Sequence, residues 1–263
     1  MNYRLRLIRK IIRFTPEWLL IKLINLKTKS FQYPVTLMFH HVLPASRMDS
    51  YLIEFSHDPI EVEPYSITPE KFEEILLILK ELGYSFIFED DYKKQNGKVA
   101  IITFDDGYSD NYIYALPLLK KHAIKASVNL IANNICDEEN GEFLSKKRIK
   151  EMQESGLIQF QAHTLSHPEL TKCSDEECRK EIVDCKNVIH KKTGIETTAF
   201  VYPCCQTNKK VADIVKQHYS MAYGGNDLEI DYIYRLPRIE MKMSLGKKEI
   251  LRKMLFSYYS VEE

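Results

Sequence analysis

The sequence has little glycine or proline, with nine Gly and ten Pro among 263 residues. This scarcity excludes a collagen-like or linker-rich chain, and a hydrophobic content of 44% is enough for a sizeable core. There is no net charge either, since 37 basic residues balance 37 acidic ones, which argues against a globally basic nucleic-acid-binding protein. A chain of this length forms one or two domains, and single α/β barrels often reach it.

Cysteine motifs and long hydrophobic runs are also absent. The six cysteines show no Cys-x-x-Cys spacing, which excludes a zinc ribbon or a thioredoxin motif. The longest apolar run near the start, residues 18–21, is too short for a signal peptide or a transmembrane helix. We therefore expect a cytoplasmic location, where the thiols stay reduced and act as small buried apolar side chains.

The first 30 residues differ in charge from the rest of the chain. They hold eight basic residues and one acidic residue, a net +7, whereas the remainder holds 29 basic and 36 acidic residues, a net −7. Leu5, Ile8 and Ile12 fall on one helical stripe, and Thr15-Pro16 is typical of the start of a second amphipathic helix. Such a basic helical segment either lies peripherally on an anionic membrane, here the cytoplasmic face, or packs on the domain with a solvated basic side; we expect the membrane contact.

From Pro34 onward, short apolar runs alternate with helical patterns. The predicted strands are residues 35–39, 84–88, 99–104, 125–131, 157–161, 198–202, 219–223 and 232–236. The intervening helices carry start and stop signals: Thr68-Pro69 with Gly83, Ser145 with Gly156, and a Ser174–Glu177 capping box with Gly194. This alternation predicts one α/β domain over residues 34–263, with a parallel sheet closed into a barrel or doubly wound. In both folds the reactive residues follow the strands directly.

An adjacent pair of aspartates follows the predicted strand 99–104. Asp105 and Asp106 precede Gly107. Two neighbouring carboxylates at a strand end need a compensating charge, and a bound cation is the usual one. Because adjacent side chains diverge, one Asp can bind a metal while the other faces the substrate as a base. The same three residues also suit an ordinary turn, so alone they are weak evidence of a site.

Two histidines four residues apart follow the predicted strand 157–161. His163 and His167 can point the same way, and neutral imidazole suits zinc and related metals. Pro168 disfavours α-helical geometry at His167, so we expect a strand-end loop there. A histidine pair is often incidental, but with one Asp it forms a three-ligand set that leaves positions for water and substrate, as in catalytic metal sites.

Two further strand ends carry weaker signals. Backbone N–H groups after Pro203 can point toward a developing oxyanion, although a plain strand followed by a turn looks the same. His40 and His41 follow the strand 35–39, and a histidine there can act as a general acid near neutral pH. An ordinary core or surface histidine is the alternative, and the sequence does not choose between these two residues.

Residues 103–107 (Thr-Phe-Asp-Asp-Gly) and 163–167 (His-Thr-Leu-Ser-His) together resemble the first two signature motifs of the polysaccharide deacetylases, the NodB-homology group or carbohydrate esterase family four. Motif order and separation match, and the resemblance covers about residues 34–240. Residues 38–42 are similar to the first strand of circularly permuted members, such as the poly-N-acetylglucosamine deacetylases.

The resemblance implies a distorted (β/α) barrel and metal-dependent removal of N- or O-acetyl groups from a sugar or a glycan. The expected membrane contact would suit a lipid-linked glycan as the substrate. The resemblance also implies that Asp105 is the general base and His40, by the permuted pattern, the acid. The metal ligands would be Asp106, His163 and His167, with zinc the expected ion. The oxyanion and substrate-binding positions would be Tyr202, Pro203 and Cys204.

The sequence also departs from the family pattern. The third motif usually carries an Arg and an aromatic residue, where this chain has Val201 and Cys204, and the late Leu-x-His motif is missing. Arg238 is a candidate to orient Asp105 in place of the missing arginine, with His41 as a possible support. Two other functions stay open: a metal-dependent phosphoesterase, although two-metal sites need more ligands, and a sugar-binding domain with a residual metal site.

Overall fold

The computed structural model describes residues 3–30, 34–55, 57–94, 97–227 and 229–260. Its strands are β1 (Val35–Phe39), β2 (His41–Val42), β3 (Ser66–Ile67), β4 (Ser85–Phe86), β5 (Val99–Phe104), β6 (Ala126–Leu130), β7 (Ile158–Ala162), β8 (Ala199–Val201), β9 (Met221–Tyr223) and β10 (Ile239–Glu240). Its helices are α1 (Tyr3–Phe14), α2 (Glu17–Ser30), α3 (Ala45–Phe55), α4 (Pro59–Val62), α5 (Pro69–Glu81), α6 (Leu116–His122), α7 (Lys146–Glu154), α8 (Asp175–Arg179), α9 (Cys185–Thr193), α10 (Lys209–His218) and α11 (Lys247–Ser260).

The main sheet is parallel and curves into a distorted barrel. Its strand order is β10-β1-β5-β6-β7-β8-β9, with β4 beside the start of β5, while β2 and β3 form a separate pair. Residues 236–241 join the two ends of the sheet. Leu236 donates a backbone hydrogen bond to Ala222 of β9 (2.9 Å), and Met241 donates one to Met38 of β1 (3.0 Å). The predicted α/β barrel is therefore confirmed.

Alternation along the strands separates an outer core from the barrel interior. In β5, Ala100, Ile102 and Phe104 belong to the large core between sheet and helices, whereas Val99 and Ile101 belong to a smaller cluster inside the barrel. The period of two residues directs the side chains of residues 103 and 105 inward as well. The aspartate that follows β5 is thus placed at the mouth of the barrel.

The three predicted helix starts are confirmed by their caps. Each capping side chain accepts the backbone N–H three residues on: Thr68 from Lys71, Ser145 from Arg148, and Ser174 from Glu177. The capping box at Ser174 is complete, and the helical stretch it starts ends at Gly194, which has the left-handed φ of +75°.

The predicted strand 232–236 is wrong. Residues 232–234 form a 3₁₀ turn in which the N–H groups of Tyr234 and Arg235 donate to carbonyls three residues back. Local bonds therefore take the place of sheet pairing. Within this segment only Leu236 pairs with β9, and pairing with β1 starts at Ile239, beyond Pro237. The short pair β2–β3 was not predicted from the sequence.

The helices α1 and α2 pack against α11 and join the outer core. Ile12, Leu20 and Ile24 are buried in that core. Arg252 of α11 donates to the carbonyl oxygen of Arg13, and Lys247 lies 4.0 Å from Glu17. Among the described residues, no helix is both long enough and apolar enough to cross a bilayer.

Candidate active site

A cavity of about 390 Å³ opens where the parallel strands end. It is lined by residues within or next to several strands: Met38, His40, His41, Tyr65, Asp105, Asp106, Tyr108, His163, His167, Tyr202, Cys204, Cys205, Arg238 and Glu240. Apart from Pro203, which is buried in the adjoining turn, every candidate residue from the sequence lies on this cavity. Open α/β sheets and barrels carry their sites at this end.

Sheet hydrogen bonds that continue past the strands hold the first site residues in place. The N–H of Asp105 donates to Phe39 (2.9 Å), and that of His163 donates to Leu130 (3.0 Å). Each residue therefore extends its strand by one position before the chain turns away. This fixes the backbone that carries the two motifs on a rigid sheet.

Asp106, His163 and His167 form a cluster whose ligand atoms all lie within 4.8 Å of one another. Oδ1 of Asp106 is 3.5 Å from Nε2 of His163 and 3.6 Å from Nε2 of His167. Two imidazoles and one carboxylate converging on one point are a donor set of the kind that zinc and related divalent ions accept.

The charge on Asp106 is poorly compensated by the protein itself. Its Oδ1 atom is buried and has no hydrogen-bond partner among the described residues. Burial raises the pKa of Asp106 to about 6, because the ionised carboxylate loses its hydration. A cation between Asp106 and the histidines would supply the missing partner, so the residues present fit a divalent metal.

The two histidines are held in the form that binds metals. Nδ1–H of His163 donates to the carbonyl oxygen of Val201 (2.8 Å), which leaves its Nε2 lone pair facing Asp106. Burial lowers the pKa of His163 to about 3 and also lowers the pKa of His167. Both rings are therefore neutral at neutral pH, and no proton has to leave before a metal binds.

Left-handed backbone conformations concentrate at this site. Outside glycine, six described residues have positive φ, and five of them lie here: Asp106 (70°), Thr164 (66°), His167 (63°), Cys204 (56°) and Cys205 (53°). Local bonds support them: the Thr164 hydroxyl accepts the N–H of His167 at 2.9 Å. Strained backbone of this kind costs free energy and persists where the surrounding structure imposes it, typically at functional sites.

Asp105 is buried beside the cluster and is held through one of its oxygens. Oδ1 accepts hydrogen bonds from Arg238 (2.6 Å) and from Asn129 (2.7 Å), while Oδ2 lies 3.9 Å from Nε2 of His40. Burial alone would raise the pKa of Asp105, but the Arg238 guanidinium holds it well below the usual range. The carboxylate is therefore ionised at neutral pH, with Oδ2 directed toward His40.

The structure places the two adjacent histidines in different environments. His40 lines the cavity, partly exposed, with its ring 5.0 Å from that of Tyr65. His41 is buried, with Nδ1 2.6 Å from Oδ2 of Asp110 and its ring stacked on Tyr108. The Asp110 contact takes up one side of the His41 ring, whereas Nε2 of His40 faces Asp105.

A tight turn after β8 forms the opposite wall of the cavity. It comprises Pro203, which is buried, and the two cysteines, of which Cys204 is exposed. The N–H of Cys205 donates to the carbonyl oxygen of Tyr202 (3.3 Å) and that of Gln206 to Pro203 (3.1 Å), whereas Cys204 between them has a non-helical, left-handed φ of 56°. Tyr202 is buried directly before it.

Several site residues were missed from the sequence. Asn129 and Asp110 reach the site only through tertiary contacts, so no local pattern reveals them. Glu240 lies two residues beyond Arg238 and therefore on the same side of the strand, a period-two signal that could have identified it. Tyr65 stands before β3, a strand too short to predict.

Comparison with known proteins gives the chain its family. The polysaccharide deacetylase family model matches residues 92–222. The Bacillus subtilis (strain 168) protein YxkH is 35% identical over 118 residues, 45% of this chain and 41% of YxkH. The poly-beta-1,6-N-acetyl-D-glucosamine N-deacetylase of Staphylococcus aureus (strain MRSA252) is 30% identical over 154 residues, 56% of this chain and 53% of that protein.

A solved structure extends the likeness to most of the chain. The Streptococcus pyogenes deacetylase PplD, in complex with acetate, superimposes with a TM-score of 0.70 at 26% identity, over 84% of this chain and 98% of that one. The match to the two curated relatives, in contrast, spans only about half of their length. The motifs, the barrel and the family match agree, and the chain belongs to the polysaccharide deacetylase family.

Proposed function

We propose that the protein is a metal-dependent hydrolase that removes acetyl groups, N-acetyl in particular, from an amino sugar in a glycan or a lipid-linked glycan. The observation that carries this proposal is the joint placement of Asp105, the three-residue cluster and His40 on one cavity. The relatives named as deacetylases support it. In the reaction water adds to the acetyl carbonyl, the C–N bond breaks, and acetate and a free sugar amine leave.

Asp106, His163 and His167 would hold the metal, and zinc suits two imidazoles and a carboxylate with a position left open. The metal supplies Lewis-acid polarisation of the acetyl carbonyl. The surrounding protein prepares the ligands for this task. The carbonyl of Val201 fixes the His163 tautomer, and the sheet fixes the backbone before each ligand.

Asp105 and His40 are the proposed base and acid. Oδ1 of Asp105 is occupied by Arg238 and Asn129, so Oδ2 is the oxygen that accepts the proton of the attacking water. His40 then donates a proton from Nε2 to the leaving sugar nitrogen. The N–H of Cys204 donates to the carbonyl oxygen as it gains negative charge, next to Tyr202 and Pro203. His41 supports the His40 backbone through the Asp110–Asn111 network, since Asn111 donates to the carbonyl of His40 (2.8 Å).

Tyr65 and Glu240 are the proposed contacts to the sugar ring. Glu240 pairs in register with Met38, and both line the cavity. Tyr65 is 44% exposed, and its ring lies 5.0 Å from that of His40 and 6.0 Å from Nζ of Lys242. A pyranose whose nitrogen lies at His40 would stack on Tyr65, while the Glu240 carboxylate accepts a hydrogen bond from a hydroxyl or from the amine product.

The test is acetate release from N-acetylglucosamine oligosaccharides by the purified protein with added zinc. The proposal expects acetate and free amine in equal amounts, loss of activity after chelation, and recovery when metal is restored. His163→Ala should lose both metal and activity, whereas the control His190→Ala, on the exposed surface, should keep both.

Two alternatives predict different results in the same assay. A sugar-binding domain with a residual metal site would bind zinc and glycan without releasing acetate. A metal-dependent phosphoesterase would hydrolyse aryl phosphate but not aryl acetate. Either result would contradict a deacetylase.

We also propose that the protein acts in a reducing compartment, the cytoplasm, at the membrane surface. All six cysteines are free thiols in the structure, which supports a reducing environment.

A further inference from the structure

Helix α1 has two apolar sides, and only one of them packs on the barrel. Ile12 is buried and Ile8 packs against the same core, so the stripe predicted from the sequence faces inward; the Leu5 side chain lies outside the described residues. On the other side, Ile11 and Phe14 are 62% and 80% exposed. The packing of α1 therefore does not use its second apolar side.

Exposed large apolar side chains also occur on α2. We define the N-terminal apolar face as the exposed large side chains of these two helices: Leu7, Ile11, Phe14, Trp18 and Leu26. Leu7, Ile11 and Phe14 are spaced by four and three residues and therefore lie on one side of α1, and Trp18 follows in the first turn of α2, after the break at Thr15-Pro16. Trp18 itself is 66% exposed.

Exposed basic side chains accompany this face: by helical spacing Arg6 and Lys10 lie nearest to its edge, whereas Arg9 lies on the far side of α1. Arg6, Arg9, Lys10 and Arg13 are all exposed on α1, and exposed Lys22 lies between Trp18 and Leu26 on α2. Glu17 is the one acidic residue of the segment, and its side chain lies 4.0 Å from Lys247. The charge that accompanies the face is thus almost entirely positive.

The two helices are fixed to the domain by other contacts. Leu20 and Ile24 are fully buried, and Arg252 holds the end of α1 at the carbonyl of Arg13. The two helices are therefore anchored to the domain, and the N-terminal apolar face stays exposed to solvent in the folded protein.

We propose that the N-terminal apolar face binds the surface of an anionic membrane, with its aromatic and aliphatic side chains in the headgroup region and the accompanying basic side chains on acidic lipids. Interfacial helices combine these features: an apolar side, basic side chains and a tryptophan. Each basic residue near an anionic surface strengthens binding about fivefold. Self-association through this face is disfavoured, because the basic side chains of the two copies would repel each other. This inference stands independently of the proposed enzymatic function.

The chain contains its own reporter, since Trp18 is the single tryptophan. Tryptophan emission of the full-length protein is titrated with equimolar phosphatidylglycerol–phosphatidylcholine vesicles and with phosphatidylcholine vesicles. We expect a blue shift with the anionic vesicles that high salt weakens, and a much smaller one with the neutral vesicles. No shift, or equal shifts with both compositions, would overturn the proposal. A blue shift that appears without lipid as protein concentration rises would also overturn it, in favour of self-association.

Variants then locate the contact by vesicle co-sedimentation. Ile11→Ser/Phe14→Ser should reduce the bound fraction at least tenfold, and Arg6→Gln/Lys10→Gln about 25-fold. The matched control is Ile53→Ser/Ile60→Ser, which changes two apolar side chains that are 81% and 79% exposed on α3 and α4. The control should sediment like the wild type, and equal loss in control and test variants would contradict the assignment. Melting temperatures and acetate release confirm that each variant is folded.

Discussion

The buried pair of Arg238 and Asp105 allows a quantitative test of how the site is held. The side chains are 2% and 3% exposed, and Nη1 lies 2.6 Å from Oδ1, so solvent screens this pair very little. Arg238→Met removes the guanidinium and leaves Asp105 buried with Asn129 as its remaining close donor. Breaking a buried ion pair from one side typically costs about 3–5 kcal/mol of unfolding free energy. We expect a loss of this size at neutral pH in the metal-free protein.

The pH dependence of that loss has a definite sign. In the wild type the pKa of Asp105 lies below its unfolded value, so its stabilisation is present above about pH 4 and is lost as the pH falls further. Without Arg238, burial raises this pKa, and the carboxyl protonates as the pH falls. The variant should therefore lose more stability at about pH 8 than at about pH 5.

Urea denaturation followed by circular dichroism, on the two single variants and on Asp105→Asn/Arg238→Met, measures the coupling. Because the double variant removes both charges, it should be more stable than the sum of the single losses indicates, by about 2–3 kcal/mol. Additive losses and a cost of Arg238→Met that does not change with pH would refute this reasoning.

Three further predictions concern other residues. Burial raises the pKa of Glu89 to about 7, above its unfolded value, so this carboxyl destabilises the folded protein as the pH rises through that range. The difference in unfolding free energy between Glu89→Gln and the wild type, measured in urea, should therefore shift by about 3 kcal/mol in favour of the variant from about pH 4 to about pH 8. His40→Ala should lower kcat by roughly 10²–10⁴ with metal retained, because it removes the proposed acid. Full activity of His40→Ala would contradict its role as the acid. His41→Ala, in contrast, should mainly lower the melting temperature, because it breaks the buried contact to Asp110. Tyr65→Ala and Glu240→Gln should lower kcat/KM for an N-acetylated oligosaccharide at least fivefold more than for a small aryl acetate, and an equal fall for both would contradict the sugar contacts.

The sequence was informative wherever a local pattern determines the structure. The caps at Thr68, Ser145 and Ser174 are local signals, and all three helices begin where they indicate. The buried strands β1 and β5 were predicted with their observed bounds, because continuous apolar runs are typical of strands buried on both sides. Adjacent placement of the two motifs followed from parallel topology alone.

Features that depend on tertiary contacts could not be predicted from the sequence. The segment 232–236 has the alternation of a strand, but local 3₁₀ bonds form there instead. In α1, helical periodicity identified the stripe of Ile8 and Ile12, yet it does not show which of two apolar sides meets the domain. The proposed support of Asp105 by Arg238 required residues 133 positions apart to meet, and only the closure of the barrel brings them to 2.6 Å.

The central claim is that a metal ligand set and a separate base occupy adjacent residues, Asp106 and Asp105. The most direct measurement determines metal content and acetate release together for Asp105→Asn and His163→Ala. Asp105→Asn should retain one metal per chain while turnover falls roughly 10²–10⁴-fold, whereas His163→Ala should lose metal and turnover together. Undiminished turnover in Asp105→Asn, or full metal content in His163→Ala, would contradict the account.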